Sequence, residues 1–310
     1  MKAVRFHEYG GVDVLNVEDV ELRSPEPPEV VVRVHAAGIN PGEAKIRSGA
    51  LHERFPATFP SGQGSDFAGT VTAIGVDVTS WRVGDEVLGW AWDRSSQAEF
   101  VVVPQEQLVA KPIGLSWDVA GALYVAGATA YAGVEAVDPK PDEVVVLSAA
   151  AGGVGSIALQ LARLRGAQVI AIASDRHRAW LEGKGAVVVN YGEGLEERVR
   201  SEVSRLVPGA TSPDAFLDFH GGDYVRLAVA LGVPPQRINT IDYAAAAEFG
   251  TRSDASAEGT KPEILVDLAR ILSASEIEIP ISGLFPLDQV RAAFTELEQG
   301  HTLGKIVLLP

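Results

Sequence analysis

The chain has 310 residues, a mass of 32.7 kDa and a net charge of −15; one core rarely serves more than about 250–300 residues, so two domains are expected. Its 46% hydrophobic and 22% charged residues exclude a disordered chain, and the acidic surface argues against nucleic-acid or anionic-membrane partners. The absence of cysteine excludes disulfides, thiolate metal sites and a cysteine nucleophile.

The opening Met1–Gly11 lacks an apolar core and no run of 18 apolar residues occurs, so a cytoplasmic protein is expected. The first third reads as β structure. Val-rich runs at Met1–Phe6, Val14–Val20 and Val30–Ala36 are bounded by Gly and Pro turns. A Gly- and Pro-rich stretch, Gly38–Gly69, suits a loop-built site. Strands are expected again at Gly69–Gly75, Glu86–Gly89 and Ala98–Val103, and Lys111–Gly114 reads as a junction. A small-residue helix is expected over Trp117–Val137. Then strands (Glu143–Ser148, Val169–Ala173, Val187–Asn190, Ala215–Phe219) alternate with helices (Gly153–Arg165, a turn or two up to Trp180, Leu195–Leu206). That alternation means βαβ crossovers and a parallel sheet. Ile238–Ile241 could add a strand, and residues 243–260 suggest no element. Pro262–Leu272 and Leu287–Gln299 read as helices, Ile277–Ile281 and Lys305–Leu309 as strands.

The sharpest local signal is Val144–Arg163, a strand entering a Gly-rich turn that a helix leaves. Its spacing, Ala150-x-Gly152-x-x-Gly155, is a dinucleotide fingerprint with Ala in the first slot. Gly152 would let the backbone approach a pyrophosphate, and Gly155 would let helix pack on strand. Gly153 and Val154 would open the helix, whose N-terminus favours phosphate. The next strand ends in Ala173-Ser174, with Asp175, Arg176, His177 and Arg178 behind it. An acid at the end of this strand holds the ribose hydroxyl of NAD, whereas Arg accommodates the extra phosphate of NADP. Ser174, Arg176 and Arg178 favour NADP; Asp175 is the opposing signal for NAD.

A β-rich start, a Rossmann unit and a return to the first domain resemble the medium-chain dehydrogenase/reductase superfamily. GINPGEAKIRSG (Gly38–Gly49), PSGQGSDFAGTV (Pro60–Val71), VGDEVLG (Val83–Gly89), AGATAY (Ala126–Tyr131), AAAGGVGSIALQLAR (Ala149–Arg163), GAVVVNY (Gly185–Tyr191), DFHGG (Asp218–Gly222) and GKIVL (Gly304–Leu308) stand in the order of its zinc-independent, quinone-oxidoreductase-like branch. The resemblance implies a GroES-like catalytic domain over residues 1–113, a Rossmann NADP-binding domain over 114–273 and a return over 274–310. Zinc-bearing relatives have Cys in the place of Asn40 and His in the place of Ser65, so no metal is implied. Thr129 matches a contact to the nicotinamide end of the cofactor, and Tyr191 a position near the 2′-phosphate. Lys45 falls where zinc-bearing relatives have a proton-relay His. Trp90 and Trp92 follow the turn that lines the family's substrate mouth, and their alternation suggests one strand face. Tyr124, His220 and residues 229–242 depart from the family pattern.

The expected activity is metal-free hydride transfer from NADPH to a small-molecule quinone or other conjugated carbonyl, in a homodimer. Lys45 and Asn40 are the expected donors to the developing oxyanion. Enone, enal or enoyl-thioester reduction is the alternative, and a non-catalytic NADPH-binding protein is a second one of a different class. A short-chain dehydrogenase is excluded, because no Tyr is followed by Lys four residues later.

Overall fold

The computed structural model describes residues 1–254 and 261–310. The chain forms two compact units, Met1–Val125 with Lys261–Pro310, and Ala126–Thr260. Residues 255–260, part of the segment 243–260 that suggests no element, lie outside the described residues.

The first unit starts with β1 (Lys2–Phe6), β2 (Asn16–Asp19) and β3 (Glu29–Gly38). A short helix α1 (Pro41–Arg47) follows, with Pro at its first position, where a missing N–H costs nothing. Next come β4 (Ser61–Gly62), β5 (Asp66–Ile74), β6 (Glu86–Trp90), β7 (Phe100–Pro104), β8 (Leu108–Ala110) and α2 (Trp117–Gly121). The expected helix Trp117–Val137 is in fact two, α2 and α3 (Tyr124–Val137). Gly121 ends α2 close against β3, where a Cβ would lie 2.4 Å from the Ala36 carbonyl oxygen.

The second unit alternates β9 (Val144–Leu147), α4 (Gly153–Leu164), β10 (Gln168–Ile172), α5 (Arg178–Gly183), β11 (Ala186–Val189), α6 (Leu195–Leu206), β12 (Ala215–Asp218), α7 (Tyr224–Ala230) and β13 (Ile238–Thr240). Among the described residues its strands form one parallel sheet in the order β11-β10-β9-β12-β13. Parallel sheets are covered on both faces, which explains why β9, β10 and β12 read as continuous apolar runs. Val146, Ile170, Phe216, Val199 and Val225 share one core. Within 243–260 the chain forms α8 (Tyr243–Phe249), capped by the Asp242 carboxylate, which accepts from the N–H groups of Ala244 and Ala245.

The chain then returns to the first unit with α9 (Pro262–Ser273), β14 (Ile281–Pro286), α10 (Val290–Glu298) and β15 (Lys305–Leu309). The strand expected at Ile277–Ile281 instead begins at Ile281, where pairing with β15 starts. In the first unit, strands run in the order β14-β15-β3-β5-β6-β8, with β7 also on β3, beside the small sheet β2-β1-β4. The boundaries between units fall after Val125 and Thr260, against 113 and 273 expected, because α2 packs on β3 and β5 and α9 packs on β8.

Candidate active site

In the second unit the strand order reverses between β9 and β12: β10 and β11 lie to one side, β12 and β13 to the other. Ligands of such sheets bind beyond the C-terminal strand ends at this switch point. There Ser148 follows β9 and donates to Asp218 Oδ1, and Thr240 donates to Asp218 Oδ2 at 2.6 Å. The N–H groups of His220 and Gly221 also donate to Asp218, so a fully buried carboxylate fixes the loop after β12. In the sequence this Asp is legible only as part of the DFHGG motif; an acid ending a buried strand is the available signal.

The Gly-rich turn follows Ser148. Ala149 takes a left-handed φ of 48°, Ala150 and Ala151 are buried, and Gly152 caps α4. The first helical bond runs from the Ser156 N–H to the Gly152 oxygen, so the N–H groups of Gly153, Val154 and Gly155 precede it. A Cβ on Gly155 would lie 2.3 Å from the Ala149 oxygen, whereas a Cβ on Gly152 meets only that oxygen at 3.3 Å. The helix therefore packs hard on the turn at Gly155 and leaves space before Gly152. That open helix start fits a pyrophosphate.

Beyond β10, Ser174 is half-buried and its hydroxyl makes no capping bond, while Arg176 is exposed. Arg178 is bound to Asp175, Glu182, Asn190 and the Val188 carbonyl. Tyr191 is about half exposed. Its loop is held by Arg198, which donates to the carbonyls of Asn190, Gly192 and Glu193. Thr129 is buried on α3.

In the first unit the structure places Asn40 and Lys45 differently. Glu43 and Arg47, four residues apart, are buried on one side of α1; Lys45, between them, is exposed. Its ammonium makes no hydrogen bond or ion pair among the described residues, with Glu43 or Asp66 or any other group. Asn40 turns inward. Its Nδ2 donates to Glu43 Oε1 and Asp66 Oδ2, both at 3.1 Å, and its Oδ1 accepts from Lys305. The Asn40 amide is thus fully engaged by protein, which leaves it no N–H to hold an oxyanion.

Lys305 is buried at the start of β15 and also reaches Asp66 Oδ2 at 3.2 Å and the Ile39 carbonyl at 3.0 Å. Glu43 accepts four N–H groups: Asn40 N, Asn40 Nδ2, Ser65 N and Gln97 Nε2. Burial, reinforced by the nearby Asp66 charge, pushes its carboxyl up to about 7, against the smaller opposing effects of Asn40 and Lys305. Neither Glu43 nor Lys305 was singled out as functional from sequence.

Trp90 ends β6 and is buried, stacked on Tyr124 with ring centres 4.6 Å apart and planes 9° from parallel. Trp92 lies past the strand, half exposed and edge-on to both rings. The two tryptophans therefore do not share one strand face. Tyr124, one of the departures from the family pattern, fills the stack. Among the described residues no group of three or more His, Asp or Glu side chains is placed to hold a metal ion, and no helix is long and apolar enough to cross a membrane.

A Rossmann sheet with an open phosphate turn, in a chain whose other unit is a β-rich domain with a buried polar centre, defines a nucleotide-dependent dehydrogenase. Residues 26–113 match the alcohol dehydrogenase GroES-like domain family, and residues 188–308 the zinc-binding dehydrogenase family. The chain is 31% identical to a quinone oxidoreductase of Pseudomonas aeruginosa, covering all of this chain and 99% of that one. It is 30% identical to 2-methylene-furan-3-one reductase of Solanum lycopersicum, covering all of this chain and 79% of that one. The solved structure of Escherichia coli quinone oxidoreductase complexed with NADPH superposes over the full length of both chains, with a TM-score of 0.88 at 25% identity. The chain belongs to the quinone oxidoreductase branch of the medium-chain dehydrogenase/reductase superfamily, and it is an oxidoreductase that binds a nicotinamide nucleotide.

Proposed function

We propose that this enzyme is an NADPH-dependent, metal-free reductase of quinones or other conjugated carbonyls. The observation that carries the reading is the phosphate turn at Gly152–Gly155 with Ser174 and Arg176 left available beyond β10 and Tyr191 beyond β11. The names of two relatives, a quinone oxidoreductase and a furanone reductase, support the acceptor class.

NADPH, when bound, supplies the hydride. The N–H groups at the start of α4 would hold its pyrophosphate, and Ser174, Arg176 and Tyr191 its 2′-phosphate. Hydride arriving on a conjugated carbon sends negative charge to an oxygen, which needs a donor. Since the Asn40 amide is engaged, Lys45 is the donor of the pair that the structure leaves free.

The test is NADPH oxidation measured over a quinone, an enone, an enal and an enoyl thioester, with wild type and Lys45→Met. Turnover is expected with a quinone or enone, and the substitution should lower kcat at least about tenfold while NADPH affinity holds. NADPH binding without turnover on any acceptor would make the chain a nucleotide-binding protein. An unchanged kcat in the variant would remove Lys45 from the chemistry.

A further inference from the structure

Asp175 follows the end of β10, where a carboxylate free to turn would take a ribose 2′-hydroxyl and repel a 2′-phosphate. Its carboxylate is not free. Oδ1 accepts from Arg178 Nε at 2.8 Å and lies 2.7 Å from the terminal nitrogen Nη2; Oδ2 accepts from Asn190 Nδ2 at 2.8 Å. The triangle closes, because Asn190 Oδ1 accepts from the same Arg178 nitrogen at 3.3 Å.

Two of its corners, Arg178 and Asn190, are fixed from outside as well. Arg178 donates to the Val188 carbonyl at 3.1 Å and to Glu182 at 3.2 Å. The Asn190 carbonyl accepts from Arg198 at 2.8 Å. The bonds from Asn190 and Arg178 hold the Asp175 carboxyl below the usual range, so it stays an anion and stays paired. Arg178 has four protein acceptors, whereas Arg176, two residues earlier, is exposed with none among the described residues. Two arginines that look alike in sequence therefore differ in what they can still bind.

We propose that Arg178 and Asn190 are specificity-determining residues that act through Asp175: they lock an NAD-type acid into a protein-internal triangle, and leave Ser174, Arg176 and Tyr191 to meet the 2′-phosphate. The proposal rests on the NADPH reading above. It assigns Arg178 a positioning role where sequence reasoning made it a phosphate ligand. Losing Arg178 releases the acid and removes its counter-charge, so NADPH weakens and NADH does not. Losing the Asn190 amide frees one carboxylate oxygen with the same sign of effect.

The experiment measures the dissociation constants of NADPH and NADH calorimetrically. It uses wild type, Arg178→Ala, Asn190→Ala, Asp175→Asn and the double variants Arg178→Ala/Asp175→Asn and Asn190→Ala/Asp175→Asn. With Asp175 present, Arg178→Ala should lower the NADPH preference about fivefold, the size of one unit charge acting at contact distance in water, and Asn190→Ala, which removes a hydrogen bond but no charge, at least about twofold. In the Asp175→Asn background the same changes should shift it less than twofold. Equal losses in both backgrounds would mean that Arg178 touches the phosphate itself, and would overturn the proposal. So would an unchanged preference in both alanine variants. Wild type that binds NADH as well as NADPH overturns the cofactor reading, and this inference with it, before any variant is consulted. Should Arg178→Ala fail to fold, the Asn190→Ala pair makes the same comparison.

Discussion

Glu43 and Asp66 are both buried, and one ammonium, that of Lys305, stands beside them. Lys305 contacts Asp66 directly, so Glu43 relies on four N–H donors for compensation. Four donors satisfy the acceptor sites of an ionised carboxylate, yet the loss of water and the Asp66 charge still raise its pKa from 4.5 to about 7. Between those values the folded chain holds a proton that the unfolded chain has released. Stability contributed by this group therefore falls as pH rises through the window, by at most about 3 kcal/mol. Glu43→Gln cannot ionise. Denaturant unfolding of both proteins from pH 4 to 8 should show a wild-type stability that declines relative to the variant; a constant difference would mean that Glu43 keeps its ordinary pKa. None of this could be read from sequence. Asp66 and Lys305 are 239 residues apart, and what joins them is the pairing of β15 with β3 and of β3 with β5, long-range contacts with no local pattern.

At the scale of the element, the strand–turn–helix of β9 and α4 was legible because its determinants are local: an apolar run, small residues at fixed spacing, then helical periodicity. The two key glycines make different demands, and this separates fold from function within one motif. Gly155→Ala forces a Cβ onto backbone at 2.3 Å, so it should lower stability by about 1–3 kcal/mol, and nucleotide affinity with it. Gly152 has φ −72° and ψ 176°, which any residue adopts, and its Cβ would meet only one atom, at 3.3 Å. Gly152→Ala should melt within a few degrees of wild type but bind NADPH at least about tenfold more weakly, because the methyl occupies the approach of the pyrophosphate. Thermal melts and calorimetry on the two variants check this, and similar melting losses in both would refute it. Elsewhere the local signal misled. Trp117–Val137 has one continuous composition, and the close approach of β3 at Gly121, beside the break between α2 and α3, is a contact that a window along the chain does not contain. The start of β14 is set likewise by its pairing with β15.

For the molecule as a whole, the path of the chain bears on metal chemistry. The strand that returns last to the first unit, β15, brings Lys305 to the residue that stands in a zinc-ligand place of zinc-bearing relatives, Asn40. Ser65, in the other such place, contributes its backbone N–H to Glu43. A divalent cation settling here would meet neutral amide and hydroxyl groups, which are poor zinc ligands beside thiolate or imidazole. It would also meet a lysine ammonium already bound to Asn40 Oδ1 and Asp66, and would have to displace that charge or take its proton. Two carboxylates alone do not outweigh this, since both are engaged by internal donors and burial disfavours the charge of Glu43. The expected outcome is that purified enzyme contains no stoichiometric zinc and that a chelator leaves NADPH oxidation unchanged. Activity that the chelator abolishes and zinc restores would show that a cation enters despite Lys305. Lys305→Met sharpens the test, because it removes the competing charge and leaves Asp66 buried without a counter-ion. That variant should lose about 3–5 kcal/mol of stability in chelator, and any part of the loss that added zinc recovers measures how far the ammonium, rather than the ligand set, keeps metal out.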